Sequence, residues 1–64
     1  MTGMQLKLRR VAARVTGRAL ADVMGVTSSR VSRLEAEAVV TEKSATRYLE
    51  ALATLTNVSD EEAA

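Results

Sequence analysis

The chain has 64 residues and a formal net charge of +1. A chain this short forms one domain at most, because it buries only about 60% of the surface that it exposes when unfolded. It contains no cysteine and no histidine, which excludes disulfides, thiolate or imidazole metal sites, and catalysis by either side chain.

The charge is unevenly distributed along the chain. Residues 1–33 carry seven cations and one anion, or +6, whereas residues 34–64 carry two cations and seven anions, or −5. This asymmetry favours a polyanionic partner for the basic half.

No apolar run approaches the roughly 18 residues that cross a bilayer, and no signal-peptide pattern opens the chain. We therefore expect a cytoplasmic protein without membrane contact.

The first predicted helix spans about residues 3–15. A capping-box spacing, Thr2 followed by Gln5, predicts its start, because the two side chains can satisfy each other's free backbone N–H groups. The apolar residues that recur with the period of a helix are Met4, Leu8, Val11, Ala12 and Val15. This stripe predicts the buried face, but Leu6 lies off it, so the sequence leaves the choice of face open.

The second predicted helix spans about residues 17–24. Thr16 precedes it as an N-cap candidate, and Gly25 supplies the left-handed residue that ends it. Ala21 is small enough to let the next helix cross closely. The chain therefore turns sharply after this helix.

The third predicted helix spans about residues 28–37 and follows the cap candidate Thr27. Val31 and Leu34 are its inward residues, and the remaining positions are mostly serine and arginine. A short helix, a glycine turn and a second helix with a polar outer face are typical of a helix-turn-helix.

The fourth predicted helix spans about residues 42–55, with Thr41 as its cap and Tyr48 on its apolar stripe. Asn57 is interpreted as a stop. An acidic tail follows over residues 57–64, where a second capping-box spacing predicts a short fifth turn. The sequence therefore predicts an all-α fold, a compact bundle of four to five short helices that forms a single helix-turn-helix domain.

The segment from Thr16 to Glu35 resembles the Cro/CI-type repressors of the XRE-like family, and short Cro-like proteins in particular. It consists of TGRALADVMGVTSSRVSRLE, and the resemblance extends from about Leu6 to Leu52. It implies that the third helix, the recognition helix, enters the major groove of double-stranded operator DNA while the second lies across the phosphate backbone. Arg14 stands where members of the family usually have glycine.

The resemblance also implies roles for individual residues. Those expected to face base edges are Ser28, Ser29, Ser32 and Arg33. Those expected to contact phosphate are Thr16, Gly17, Arg18, Thr27, Arg30 and Lys43. A structural pair is expected between Arg10 and Glu35. Of the base-facing residues, Arg33 alone can fork onto O6 and N7 of guanine, so we expect modest specificity for each half-site.

The leading functional hypothesis is a sequence-specific transcriptional repressor of phage or prophage type that occupies an operator and blocks polymerase. We expect a weak homodimer, in solution or only on DNA, with Leu52, Leu55 and Val58 as its surface. Two alternatives stay open: an antitoxin-type DNA-binding autoregulator with a protein partner, and a small helical interaction module without DNA binding. We expect no enzymatic activity, cofactor, metal or small-molecule ligand, and no regulatory domain.

Overall fold

The computed structural model describes residues 1–63 of the chain and the side chains of residues 1–56. Over this range the chain forms four helices and no strand: α1 (Gly3–Ala12), α2 (Gly17–Met24), α3 (Ser28–Ala36) and α4 (Glu42–Ala63). The predicted all-α bundle that contains a helix-turn-helix is confirmed. No helix in this described part of the chain is both long enough and apolar enough to span a membrane.

A threonine caps the start of every helix. Each hydroxyl oxygen accepts a hydrogen bond from the backbone N–H three residues further on, at distances of 3.1 Å for Thr2 and Thr16 and 3.2 Å for Thr27 and Thr41. The Gln5 side chain completes the predicted capping box by accepting a bond from the Thr2 backbone at 2.9 Å. These caps satisfy N–H groups that have no partner within the helix.

The helix α1 ends at Ala12 and not at residue 15, as the sequence predicted. Arg14 adopts a left-handed backbone with φ of 59°. Its N–H donates to the Val11 carbonyl at 3.0 Å, and the Val15 N–H donates to the Arg10 carbonyl at 3.2 Å. This pair of bonds is a Schellman motif, which normally places glycine at the left-handed position. The helix end was missed because arginine occupies that position.

The helix α2 ends in the same way, at a glycine that the sequence identifies. Gly25 has φ of 73°, and its N–H donates to the Asp22 carbonyl at 3.3 Å. The N–H of Val26 donates to the Ala21 carbonyl at 3.0 Å. The predicted left-handed turn between α2 and α3 is confirmed.

The predicted buried stripe of α1 is wrong. Met4, Leu8 and Val11 are 58%, 61% and 56% exposed, whereas Leu6 is completely buried. The opposite face is buried because Gly3 lies directly on the last turn of α3. A Cβ built on Gly3 would come within 2.3 Å of the Leu34 carbonyl oxygen. Only a residue without a side chain allows α1 to approach so closely, and this contact decides which face of α1 turns inward.

The core lies where α2 and α3 meet α1 and α4. Its buried apolar residues are Leu6, Leu20, Ala21, Val31, Leu34, Val40, Ala45, Tyr48, Ala51 and Leu52. The assignment of Leu52 to a dimer surface is therefore wrong, because this side chain is only 7% exposed and belongs to the core. Leu55 is half-buried against the same cluster. The side chain of Val58, the third residue of the expected dimer surface, lies outside the described residues.

The helix α4 continues to Ala63, beyond the predicted end at residue 55. The expected stop at Asn57 and the separate fifth turn are wrong, since the described backbone is one uninterrupted helix there. No glycine or proline occurs after Gly25, so nothing in the chain forces a break. The side chains of the acidic tail lie outside the described residues.

Candidate nucleic-acid interface

The helices α2 and α3 are joined through small and apolar residues. Leu20 and Ala21 of α2 and Val31 and Leu34 of α3 all lie in one buried cluster, at 6% exposure or less. The left-handed Gly25 turns the chain between the two helices within three residues. The backs of both helices are thereby held against the core, and their remaining faces are available to solvent.

The solvent side of α3 carries the predicted base-facing residues, which we call the reading face: Ser28, Ser29, Ser32 and Arg33. All four are exposed, and Arg30 is exposed beside them. Ser29, Ser32 and Arg33 are three and four positions apart, so they lie on one side of the helix. Val31 and Leu34 point to the opposite side. The structure therefore presents the four residues together on the outside of the fold.

The start of α2 brings together three of the residues expected to contact phosphate. Thr16 caps the helix, Gly17 and Arg18 form its first turn, and the Arg18 side chain is exposed. The Thr16 hydroxyl oxygen accepts a bond from Ala19, but its hydrogen stays available to a further acceptor. Backbone N–H groups without helical partners and the positive end of the helix dipole both favour an anion here.

Arg10 and Glu35, the expected structural pair, are in direct contact. Arg10 Nε lies 2.6 Å from Glu35 Oε2, and Nη2 lies 3.2 Å from Oε1, which is a bidentate arrangement. Arg10 Nη1 also donates to the Val15 carbonyl at 2.9 Å. The pair therefore ties α1 and the α1–α2 turn to α3.

Tyr48 adds a contact that the sequence analysis did not identify. This residue, expected in the core, is completely buried, and its hydroxyl donates to Glu35 Oε2. It is the single aromatic residue of the chain and stands in an otherwise aliphatic stripe, which was the available signal for a polar role. Through it, α4 joins the Arg10–Glu35 pair. We call these three side chains the Glu35 network.

The network changes the titration of its members. The hydrogen bond to Glu35 raises the pKa of Arg10, although burial opposes this shift. Burial acts to raise the pKa of Glu35, but the hydrogen bonds from Arg10 and Tyr48 outweigh it and leave that pKa below its ordinary value of 4.5. Burial and the bond to Glu35 raise the pKa of Tyr48. At neutral pH the network therefore holds a guanidinium, a carboxylate and a neutral phenol.

The opposite edge of α3 carries a basic surface shared with α4. Arg30, Ser44 and Arg47 line one cleft, and its apolar wall is formed by Met24, Val26 and Leu34. Lys43, expected to contact phosphate, is exposed one helical turn before Arg47. Sequence reasoning did not identify Arg47, although its position four residues after Lys43 places both cations on one side of α4.

The remaining expected phosphate contact, Thr27, caps α3 and lies exposed next to the reading face. Within the part of the chain whose side chains are described, no group of three or more acidic residues is arranged to hold a metal ion. The interface is thus made of hydroxyls, guanidinium groups, amines and backbone N–H groups. Groups of these kinds can donate hydrogen bonds to phosphate oxygens and to base edges.

A family described as a helix-turn-helix domain matches residues 3–64, which is almost the entire chain. No curated protein and no solved structure matches the chain.

Proposed function

Because the chain belongs to the helix-turn-helix domain family, we propose that it is a sequence-specific repressor of the Cro-like type found in phages and prophages. Helix-turn-helix domains are typical of DNA-binding regulators, and the proposal names the kind of regulation. It assigns to the chain an operator on double-stranded DNA, action in the cytoplasm, and repression by blocking polymerase. It requires no cofactor and no catalytic group.

The observation that carries the proposal is the difference between the two sides of α3. Val31 and Leu34 are 1% and 6% exposed on the inner side, whereas serines and an arginine occupy the outer side. A helix that docked on another protein would be expected to place large apolar residues there. The reading face has no large apolar residue. Its hydroxyl and guanidinium groups can form hydrogen bonds with the donors and acceptors of base edges.

The reading face combines one strong contact with several adaptable ones. Arg33 can donate two bonds to O6 and N7 of guanine, which is worth about 1–3 kcal/mol of discrimination against other bases. Ser28, Ser29 and Ser32 reach less far and can donate to or accept from several bases, phosphate or water. The proposed protein therefore depends on DNA shape and on phosphate contacts for part of its selectivity.

Phosphate contacts fix the reading face against the groove. Thr16, Gly17 and Arg18 would hold one strand at the start of α2, since this helix end attracts an anion. Thr27, Arg30 and Lys43 would add contacts around α3. These contacts give affinity and orientation without reading sequence.

A two-fold homodimer is part of the proposal, because one recognition helix covers only a few base pairs. Two half-sites about one helical turn apart would supply the rest of the affinity. Because Leu52 is buried in the core, Leu55 is the remaining residue of the proposed dimer surface whose side chain is described.

Selection of bound DNA from a random pool, followed by footprinting, tests the proposal. We expect enrichment of a two-fold symmetric sequence. Arg33→Ala should relax the base preference at one position in each half-site, whereas Arg18→Ala should weaken binding to all sequences alike. Equal effects of the two substitutions on specific and random DNA would refute the reading face.

The salt dependence of binding separates DNA binding from an acidic protein ligand. For DNA, log K falls linearly with log salt, because neutralised phosphates release their counterions. If the protein enriches no DNA sequence and its binding shows no linear fall of log K with log salt, the alternative of a small helical interaction module is favoured.

A further inference from the structure

The two flanks of α3 have different neighbours. Arg30 precedes Arg33 by three positions and Leu34 by four, so it lies between the reading face and the buried side that carries Leu34. Glu35 lies toward the other flank, where Arg10 connects it to the Val15 carbonyl just before α2. One flank of α3 therefore adjoins the start of α2, and the other adjoins α4.

The flank toward α4, which we call the α4 flank, consists of Arg30, Ser44 and Arg47. Both guanidinium side chains are exposed and line the same cleft. Within the side chains described, ion pairing is confined to Arg10 and Glu35, so neither arginine of the α4 flank is paired. Glu42 and Glu50 adjoin Arg47 on neighbouring surfaces but do not form an ion pair with it.

The wall of the cleft explains how these arginines are positioned. Met24, Val26 and Leu34 form apolar surface on which the aliphatic parts of the arginine side chains can lie while the charged ends stay in water. Two guanidinium groups that line one cleft without an ion-paired carboxylate repel each other. An anion between them removes this repulsion and accepts forked hydrogen bonds from both.

The dimensions of DNA identify that anion. The major groove is about 12 Å wide, and a helix with its side chains is about 10–12 Å across. A helix that enters the groove therefore has a sugar-phosphate backbone on each flank. The start of α2 serves one strand, and the α4 flank lies on the other side.

We propose that Arg30 and Arg47 together bind a phosphate of the strand opposite the one held by the start of α2, so that α3 is fixed between both backbones. This inference rests on the proposed function, and it makes Arg47 a DNA-binding residue. Ser44 lines the same cleft and would supply a hydroxyl donor. The contact contributes affinity and register but no base preference.

Two arginine substitutions on α4 and α1 test the inference. Arg47→Ala is compared with Arg9→Ala, which removes the same charge from an exposed position beside Leu49 and Ala53, away from the α4 flank. Affinities for the selected operator and for random DNA are measured from about 50 to 200 mM salt. Circular dichroism melting checks that both variants fold, as expected for exposed residues.

We expect Arg47→Ala to lower affinity about tenfold on both DNAs and to reduce the salt slope by about one, as for one lost phosphate contact. Arg9→Ala should leave the slope unchanged. The double variant Arg30→Ala with Arg47→Ala should lose less than the product of the single losses, because both side chains serve one phosphate. Ethylation of single phosphates should interfere with wild-type binding at positions on both strands. For Arg47→Ala, the interfering position on one strand should disappear.

Equal losses for Arg47→Ala and Arg9→Ala would overturn the inference and attribute the effect to net charge. An unchanged ethylation pattern would overturn it as well. A wild-type protein that binds no DNA would refute the proposed function itself. A wild type that selects an operator normally while Arg47→Ala has no effect would refute only the contact on the α4 flank.

Discussion

Replacing Gly3 with alanine should destabilise the fold, although alanine is the better helix former. An ideal Cβ at this position lies 2.3 Å from the Leu34 carbonyl oxygen and 2.6 Å from the Glu35 carbonyl oxygen. Ordinary contacts are about 3.5–4.0 Å, so α1 must move away from α3 by roughly 1 Å. Both neighbours are backbone atoms and cannot rotate out of the way.

The size of the effect follows from three contributions. Overpacking costs about 1–3 kcal/mol, and displacement strains the hydrogen bond of 2.9 Å from the Gly3 N–H to the Glu37 carbonyl, which is worth about 1 kcal/mol. The higher helix propensity of alanine returns about 1 kcal/mol. We therefore expect a net loss of about 1–3 kcal/mol in the free energy of unfolding. For a domain of this size, a loss of 2 kcal/mol lowers the melting temperature by roughly 8–16 °C.

Gly17→Ala is the matched control for this prediction. It makes the same chemical change at the first residue of another helix, where an added Cβ meets only the Val31 side chain at 4.0 Å. It should be neutral or should stabilise by up to about 1 kcal/mol. Thermal and urea unfolding followed by circular dichroism measure both variants. If Gly3→Ala melts at or above the wild-type temperature, the close packing of α1 on α3 is wrong.

Three further predictions concern α1 and the Glu35 network. Leu6→Ala should lower the free energy of unfolding in urea by about 2–5 kcal/mol, whereas Leu8→Ala should change it by no more than about 0.5 kcal/mol. The reverse order would show that the face with Leu8 is the buried one. Arg14→Gly should stabilise by about 0.5–1 kcal/mol, because glycine adopts the left-handed backbone without strain, and a lower urea midpoint would contradict the Schellman turn. The lowered pKa of Glu35 contributes stability that is complete well above pH 4.5 and is lost as the pH falls through the folded-state value. Melting temperatures of the wild type should therefore fall on acidification below about pH 4.5, and Glu35→Gln should be less stable at pH 7 but less sensitive to acid; an equal acid response would contradict the network.

Features held by local hydrogen bonds could be predicted from the sequence. The four threonine caps and the Gly25 turn depend on residues within five positions of one another, so each can be recognised from a short stretch of sequence. The bounds of α2 coincide with the predicted bounds for this reason. The pairing of Arg10 with Glu35 came from the family resemblance, since nothing local connects residues 25 positions apart.

Features decided by tertiary contact could not be predicted. The helix α1 has apolar residues on two sides, and its periodicity fits Met4 and Leu8 as well as Leu6. The choice depends on the approach of Gly3 to α3, which is invisible until the helices are assembled. The parts played by Tyr48 and Arg47 could not be predicted from the sequence either. Tyr48 contacts Glu35, and Arg47 lines a cleft with Arg30, and both of these partners are on α3.

The Glu35 network has a consequence for the rotation of α3 about its own axis. Glu35 is held by α1 and α4 together, so α3 cannot roll without breaking contacts to one of them. A side-chain tip lies about 5–6 Å from the axis of a helix, so a roll of only 10° displaces it by roughly 1 Å. That displacement is enough to misalign a forked contact between Arg33 and a base. Under the proposed function, the base preference of α3 would therefore depend partly on a phenol on α4 and a guanidinium on α1, which lie behind the helix and not on its reading face.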